Sequence, residues 1–157
     1  MKTLVLGMGN SILSDDGAGI RVAQEVGKKL DDPQVTVAES SLGGISLLDY
    51  IVGYDQVIII DAIQTKKGEA GQIYRVKPEN FSFAKHLLSP HQINLVTALE
   101  LGKMLSLAMP QKITIFAVEA KEVSKFSEQC TPEVERAIPE AVKMVLEELN
   151  AEYSPED

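Results

Sequence analysis

Apolar positions along the chain switch between two periods. Residues 3–6 form a short apolar run that stops at Gly7, and residues 17–30 then carry Ile20, Val22, Ala23, Val26 and Leu30 at helical spacing. Residues 35–39 alternate as a strand, and the Gly43-Gly44 break precedes a short helix over 45–52. Residues 57–60 are a continuous β-branched run, which predicts a strand buried on both faces. Residues 71–76 suit a further strand at a sheet edge, residues 92–105 a helix and residues 113–118 a strand. Thr131 as cap and Pro132 as first residue open a last helix running to about Leu149, with a kink expected at Pro139. This alternation predicts an α/β fold, a mostly parallel sheet with helices on both faces. Sites in such sheets lie beyond the carboxyl ends of the strands, here after Leu6, Val37, Ile60 and Val118.

The 157 residues make one domain, expected over 1–150, with residues 151–157 as a frayed acidic tail. With 45% hydrophobic and 24% charged residues, the composition excludes a disordered chain. No apolar run approaches the roughly 20 residues that span a bilayer, so no membrane partner is expected. The start reads as a buried strand and not as a signal peptide. A single cysteine, Cys130, can form neither an internal disulfide nor a cysteine metal cluster, and a cytoplasmic location is expected. The net charge of −8 argues against a nucleic-acid partner, because phosphate backbones need cationic surface.

After the first strand comes Gly7-Met8-Gly9-Asn10, then Ser14-Asp15-Asp16-Gly17-Ala18-Gly19. The opening Gly-x-Gly invites a dinucleotide reading, with Glu39 at the end of the second strand as the ribose ligand. Ile12 at the third glycine position counts against it, since its bulk is expected to prevent close helix–strand packing. Asp15 and Asp16 count more heavily, because two carboxylates at a helix N-terminus repel a pyrophosphate. They suit a cation or proton transfer instead, or they complement the helix dipole. Both readings stay open for Asp15; for Asp16 the functional one is favoured, because other candidate ligands point to the same end of the sheet.

Asp61 directly follows the apolar strand, and His91 stands at a helix entry in Ser89-Pro90-His91-Gln92. Taken singly, each reads as a turn or cap residue. If the strands are parallel, Asp16, Asp61 and His91 converge. Two carboxylates and one imidazole then make an open site for a divalent first-row metal. His86, among Phe81, Phe83, Leu87 and Leu88, reads as a partly buried helical residue.

Gly7-Met8-Gly9-Asn10, Asp15-Asp16-Gly17-Ala18-Gly19, Asp61-Ala62 and Pro90-His91, in this order in so short a chain, resemble the hydrogenase maturation proteases. These endopeptidases trim the C-terminal extension of the [NiFe] hydrogenase large-subunit precursor. The resemblance runs from Met1 to about Leu149. It implies a three-layer α/β/α sandwich with a twisted, mostly parallel sheet. It also implies Asp16, Asp61 and His91 as catalytic residues and metal ligands. The metal implied is nickel, supplied by the precursor and sensed by these three residues. Where the family often has Asp-Gly-Gly, this chain has Glu39-Ser40-Ser41, and Gly43-Gly44 fits the flexible turn expected next. Glu39, Gly43 and Gly44 are therefore the candidate substrate-binding residues.

No serine or cysteine triad is evident, so metal-assisted hydrolysis fits the residues better, with Asp16 or Asp15 as base. The alternatives are a non-enzymatic chaperone that senses metal in the precursor, and a nucleotide-binding oxidoreductase module.

Overall fold

The computed structural model describes residues 1–41, 47–78 and 90–151, and for residues 90–94 the backbone alone. Strand β1 (Thr3–Met8) leads through a 3-10 turn (Ser14–Gly17) into helix α1 (Ala18–Lys29). Strand β2 (Val35–Ser40), helix α2 (Leu47–Ile51) and strand β3 (Gln56–Ile63) follow. Strand β4 (Ile73–Val76), helix α3 (Pro90–Met104), strand β5 (Lys112–Glu119) and helix α4 (Pro132–Ala151) complete the described elements. The five strands form one sheet in the order β2-β1-β3-β5-β4, parallel except for β4, which runs antiparallel at the edge.

Side-chain alternation along the buried strands builds the two outer layers. Val5, Ile58, Ile60, Phe116 and Val118 face α1 and α4 and pack on Val22, Val26, Val134 and Val145. Leu4, Leu6, Val57, Ile59 and Ile115 face α2 and α3 and pack on Leu47, Ile51, Leu95 and Leu99. The expected three-layer α/β/α architecture is the one observed. Each large apolar side chain fully buried contributes about 1.5–3 kcal/mol, which is why 57–60 carries no polar residue on either face.

The boundaries differ from expectation where pairing outlasts the apolar run. Strand β3 does not stop at Ile60: Asp61, Ala62 and Ile63 pair with Ala117, Val118 and Glu119. Asp61 is thus inside the strand and not after it. Helix α3 begins at Pro90, two residues early, where proline's missing donor costs nothing. Helix α4 runs unbroken through Pro139, which lies on its exposed side, and ends at Ala151. The expectations for Gly43, Gly44, His86 and residues 152–157 fall outside the described residues.

Strand β1 lies between β2 and β3, with α1 on one face of the sheet and α2 on the other. The chain therefore changes direction across the sheet at β1 and β3, and folds of this kind form their crevice beyond the carboxyl ends of such strands. Asp16 and Asp61 lie at this end of the sheet.

Candidate active site

The turn after β1 is shaped around Asp16. Gly9 has φ 139°, and a Cβ there would overlap the carbonyl oxygen of Asp16. The Asn10 N–H donates to both the carbonyl (3.2 Å) and Oδ2 (3.0 Å) of Asp16, and Asn10 Oδ1 accepts from the Ile12 N–H at 3.2 Å. A loop amide that a nucleotide loop would offer to phosphate is here committed to a carboxylate. Gly19 makes the close approach expected to be lost at Ile12. A Cβ on Gly19 would overlap the carbonyl oxygens of Ile60 and Met8, so α1 rests directly on the ends of β1 and β3. Ile12 itself is 47% exposed on the loop and obstructs nothing.

Asp61 is 4% exposed and shares the alternation of Val57 and Ile59, so it faces the α2 and α3 side of the sheet. Ala62 N–H donates to its Oδ1 at 2.8 Å. Burial pushes the Asp61 acid up to about 8; the Ala62 amide pulls it down, and the charge of nearby Asp16 pushes it up again. Asp16 is half-buried. The structure thus brings Asp16 and Asp61 into electrostatic contact, the first half-buried and the second buried. Near neutral pH Asp61 is held mostly in its protonated form.

Asp15, the immediate neighbour, has a different task. It is fully buried, and its carboxylate accepts from the N–H groups of Lys121 (2.9 Å), Glu122 (3.0 Å) and Thr131 (2.7 Å). The Thr131 hydroxyl also donates to it, at 2.9 Å to Oδ2. Four donors leave Asp15 no free lone pair aimed at the crevice, so it is a structural tie between the first turn and the β5–α4 loop. The hydroxyl of Thr131, expected to cap α4, is spent on Asp15, while the Thr131 carbonyl accepts from Glu135 N–H at 2.9 Å.

His91 lies in the first turn of α3, the helix on the face that Asp61 shares; its side chain is outside the described residues. Glu39 is exposed on β2 and accepts from Gln24 Nε2 of α1 at 2.8 Å. It alternates with Val35 and Val37 toward the α1 side, so the sheet separates it from Asp61. Gly43 and Gly44 are outside the described residues. Cys130 is buried beside Ser14, its thiol pushed up to about 11 by burial and by the charge of Asp15, which makes it a poor nucleophile.

Two hard oxygen donors, one in a low-dielectric floor beside a like charge, are chemically suited to a divalent cation, which relieves both the burial and the repulsion. Among the described residues no three His, Cys, Asp or Glu side chains are grouped for a metal. Sequence reasoning missed Gly19 and the tying role of Asp15; the helical spacing of Gly19 from Ala23 was the one local sign of close packing.

Fold and site together define a small doubly wound α/β domain whose crevice is lined by carboxylates instead of phosphate-binding amides. The chain belongs to the hydrogenase maturation protease family, whose profile matches residues 20–148, and is a peptidase of that family. It is 30% identical over 148 residues to the hydrogenase 2 maturation protease of Escherichia coli K12, covering 93% of this chain and 89% of that one. The structure of the hydrogenase maturating endopeptidase HybD from E. coli superposes with a TM-score of 0.84 at 28% identity, over 98% of this chain and 94% of that one. The fold is shared by the [NiFe] hydrogenase maturation protease HybD of Thermococcus kodakarensis, with a TM-score of 0.73 at 24% identity over 94% and 98% of the two chains.

Proposed function

We propose that this chain is the cytoplasmic endopeptidase that removes the C-terminal extension of a [NiFe] hydrogenase large-subunit precursor after nickel insertion. The observation that carries the reading is the pairing of buried Asp61 with Asp16 at the switch point of the sheet. Nickel belongs to the substrate and would be held by Asp16, Asp61 and His91 while the precursor is bound. When bound it would orient the adjoining peptide or supply Lewis acidity at the scissile carbonyl. The chain's own residues do the rest. Coordination by Asp16, Asp61 and His91 would be available to a metal-bearing precursor and not to an empty one, with Asp61 giving up its proton on binding the metal. Asp16, the more accessible carboxylate, would take the proton from the attacking water. The four donors that engage the Asp15 carboxylate favour Asp16 over it as the base.

The test offers nickel-loaded and metal-free precursor to chelator-treated protein and follows the precursor mass. The reading expects shortening of the nickel-loaded form alone. Equal cleavage of both forms removes the checkpoint role. Cleavage restored only by zinc points to an ordinary metalloprotease, and binding without shortening to a chaperone.

A further inference from the structure

We infer that the side-chain amide of Asn10 is a further catalytic group, donating a hydrogen bond to the carbonyl oxygen of the peptide that is cut beside Asp16. This donor deepens the peptidase reading of the site and rests on it. Asn10 is half-buried in the turn after β1, and a direct bond fixes its place: its backbone N–H donates to Asp16 Oδ2 at 3.0 Å. Covalent geometry keeps an asparagine Nδ2 within about 5 Å of its own backbone nitrogen, so this amide belongs to the immediate surroundings of the Asp16 carboxylate.

The turn holds the side chain and leaves its donor uncommitted. Asn10 Oδ1 accepts from Ile12 N–H at 3.2 Å, and the Asn10 carbonyl accepts from Leu13 N–H at 3.1 Å. A backbone N–H can be met only by the oxygen of a side-chain amide, which assigns the other terminal atom of Asn10 as nitrogen. Among the described residues the Nδ2 hydrogens have no acceptor. The backbone of the turn cannot take over the task. From Gly9 to Asp16 every backbone N–H except that of Ser11 is already donated, to Ser40, Asp16, Asn10, Ser127, Glu122 or Leu13.

An ionised carboxylate repels the negative charge that develops on a carbonyl oxygen under attack by water, so a site built on Asp16 needs a donor at that oxygen. The step balances with the groups named. Water adds to the carbonyl carbon while one of its protons passes to Asp16. The π pair of the carbonyl moves onto oxygen, where the Asn10 amide hydrogen meets it. The pair returns as the C–N bond breaks, and the proton goes from Asp16 to the leaving nitrogen. Because Oδ1 is anchored by Ile12 N–H, the amide is oriented before the substrate arrives, which is the condition for a donor to favour the transition state over the bound substrate.

The experiment measures kcat and KM on nickel-loaded precursor for wild type, Asn10→Asp and Asn10→Ser, with folding checked by melting temperature. Both variants keep an oxygen that can accept from Ile12 N–H and lack the amide donor. The serine variant adds no charge, and its hydroxyl stops about 1 Å short of the amide nitrogen. Removing one such donor costs on the order of 10²–10³ in kcat, so both variants are expected to melt near wild type and to lose at least about a hundredfold in kcat, with the KM of Asn10→Ser little changed. Wild-type kcat in the folded variants overturns the donor and reduces Asn10 to a turn former, while wild-type cleavage leaves the peptidase reading standing. A raised KM with kcat kept overturns it too, because the bond would then be made equally in the bound substrate. If one variant fails to fold, the other decides by the same comparison. Failure of wild type itself to shorten the precursor overturns the peptidase reading and the donor with it.

Discussion

Asp61 carries a stability cost that its function explains. Its acid titrates near 8 in the folded protein, against 3.8 as the ordinary value. Between these values the folded state holds a proton that the unfolded chain has lost, so stability is full below about pH 4 and falls as pH rises toward 8. Asparagine keeps the acceptor for Ala62 N–H and has nothing to ionise. Asp61→Asn is therefore expected to match wild type in melting temperature near pH 4. By pH 8 it exceeds wild type by on the order of 2–5 kcal/mol, measured by denaturant unfolding in the absence of metal. A difference that shrinks with rising pH would contradict the burial account. Cys130 makes the opposite case of a reactive residue type placed to be inert. Its thiol stays protonated at neutral pH, so the native protein should resist a thiol-specific alkylating agent at pH 7.5 and react once unfolded. Cys130→Ser should leave processing unchanged.

The adjacent aspartates diverge because of the element that carries them. In a 3-10 helix, with three residues per turn, successive side chains point about 120° apart, so Asp15 turns into the protein while Asp16 stays half-exposed. Sequence shows two equivalent carboxylates; only the β5–α4 loop, which returns to the first turn from the far end of the chain, tells them apart. Removing Asp15 leaves the part-buried amides of Lys121 and Thr131 without their acceptor, a loss of about 1–3 kcal/mol for Asp15→Ala. Asp15→Ala should also lower protection of the 121–131 amides in hydrogen exchange. Full protection there would show that the carboxylate does not hold the loop. The strands were legible because burial on both faces leaves a continuous apolar run. Their ends were not, since Asp61 and Glu119 remain paired in the sheet after the apolar pattern stops. The helix opening at Pro132 was legible, and the diversion of the Thr131 hydroxyl was not, because its partner lies in another segment.

At the scale of the molecule, parallel order and the reversal at β1 and β3 place the turn after β1 and the end of β3 at one crevice. The alternation of periods predicts that arrangement, so Asp16 and Asp61 could be brought together before any coordinates. Which face of the sheet each residue would take depended on register, and register sends Glu39 toward α1 and Asp61 toward α3. The central claim is that Asp61, paired with Asp16, is the group through which the crevice acts on its substrate. The most direct measurement is the mass of nickel-loaded precursor after incubation with wild type and with Asp61→Asn in parallel. The account predicts a shortened product with wild type and the intact precursor with the folded Asp61→Asn variant. Shortening by Asp61→Asn at the wild-type rate would contradict it.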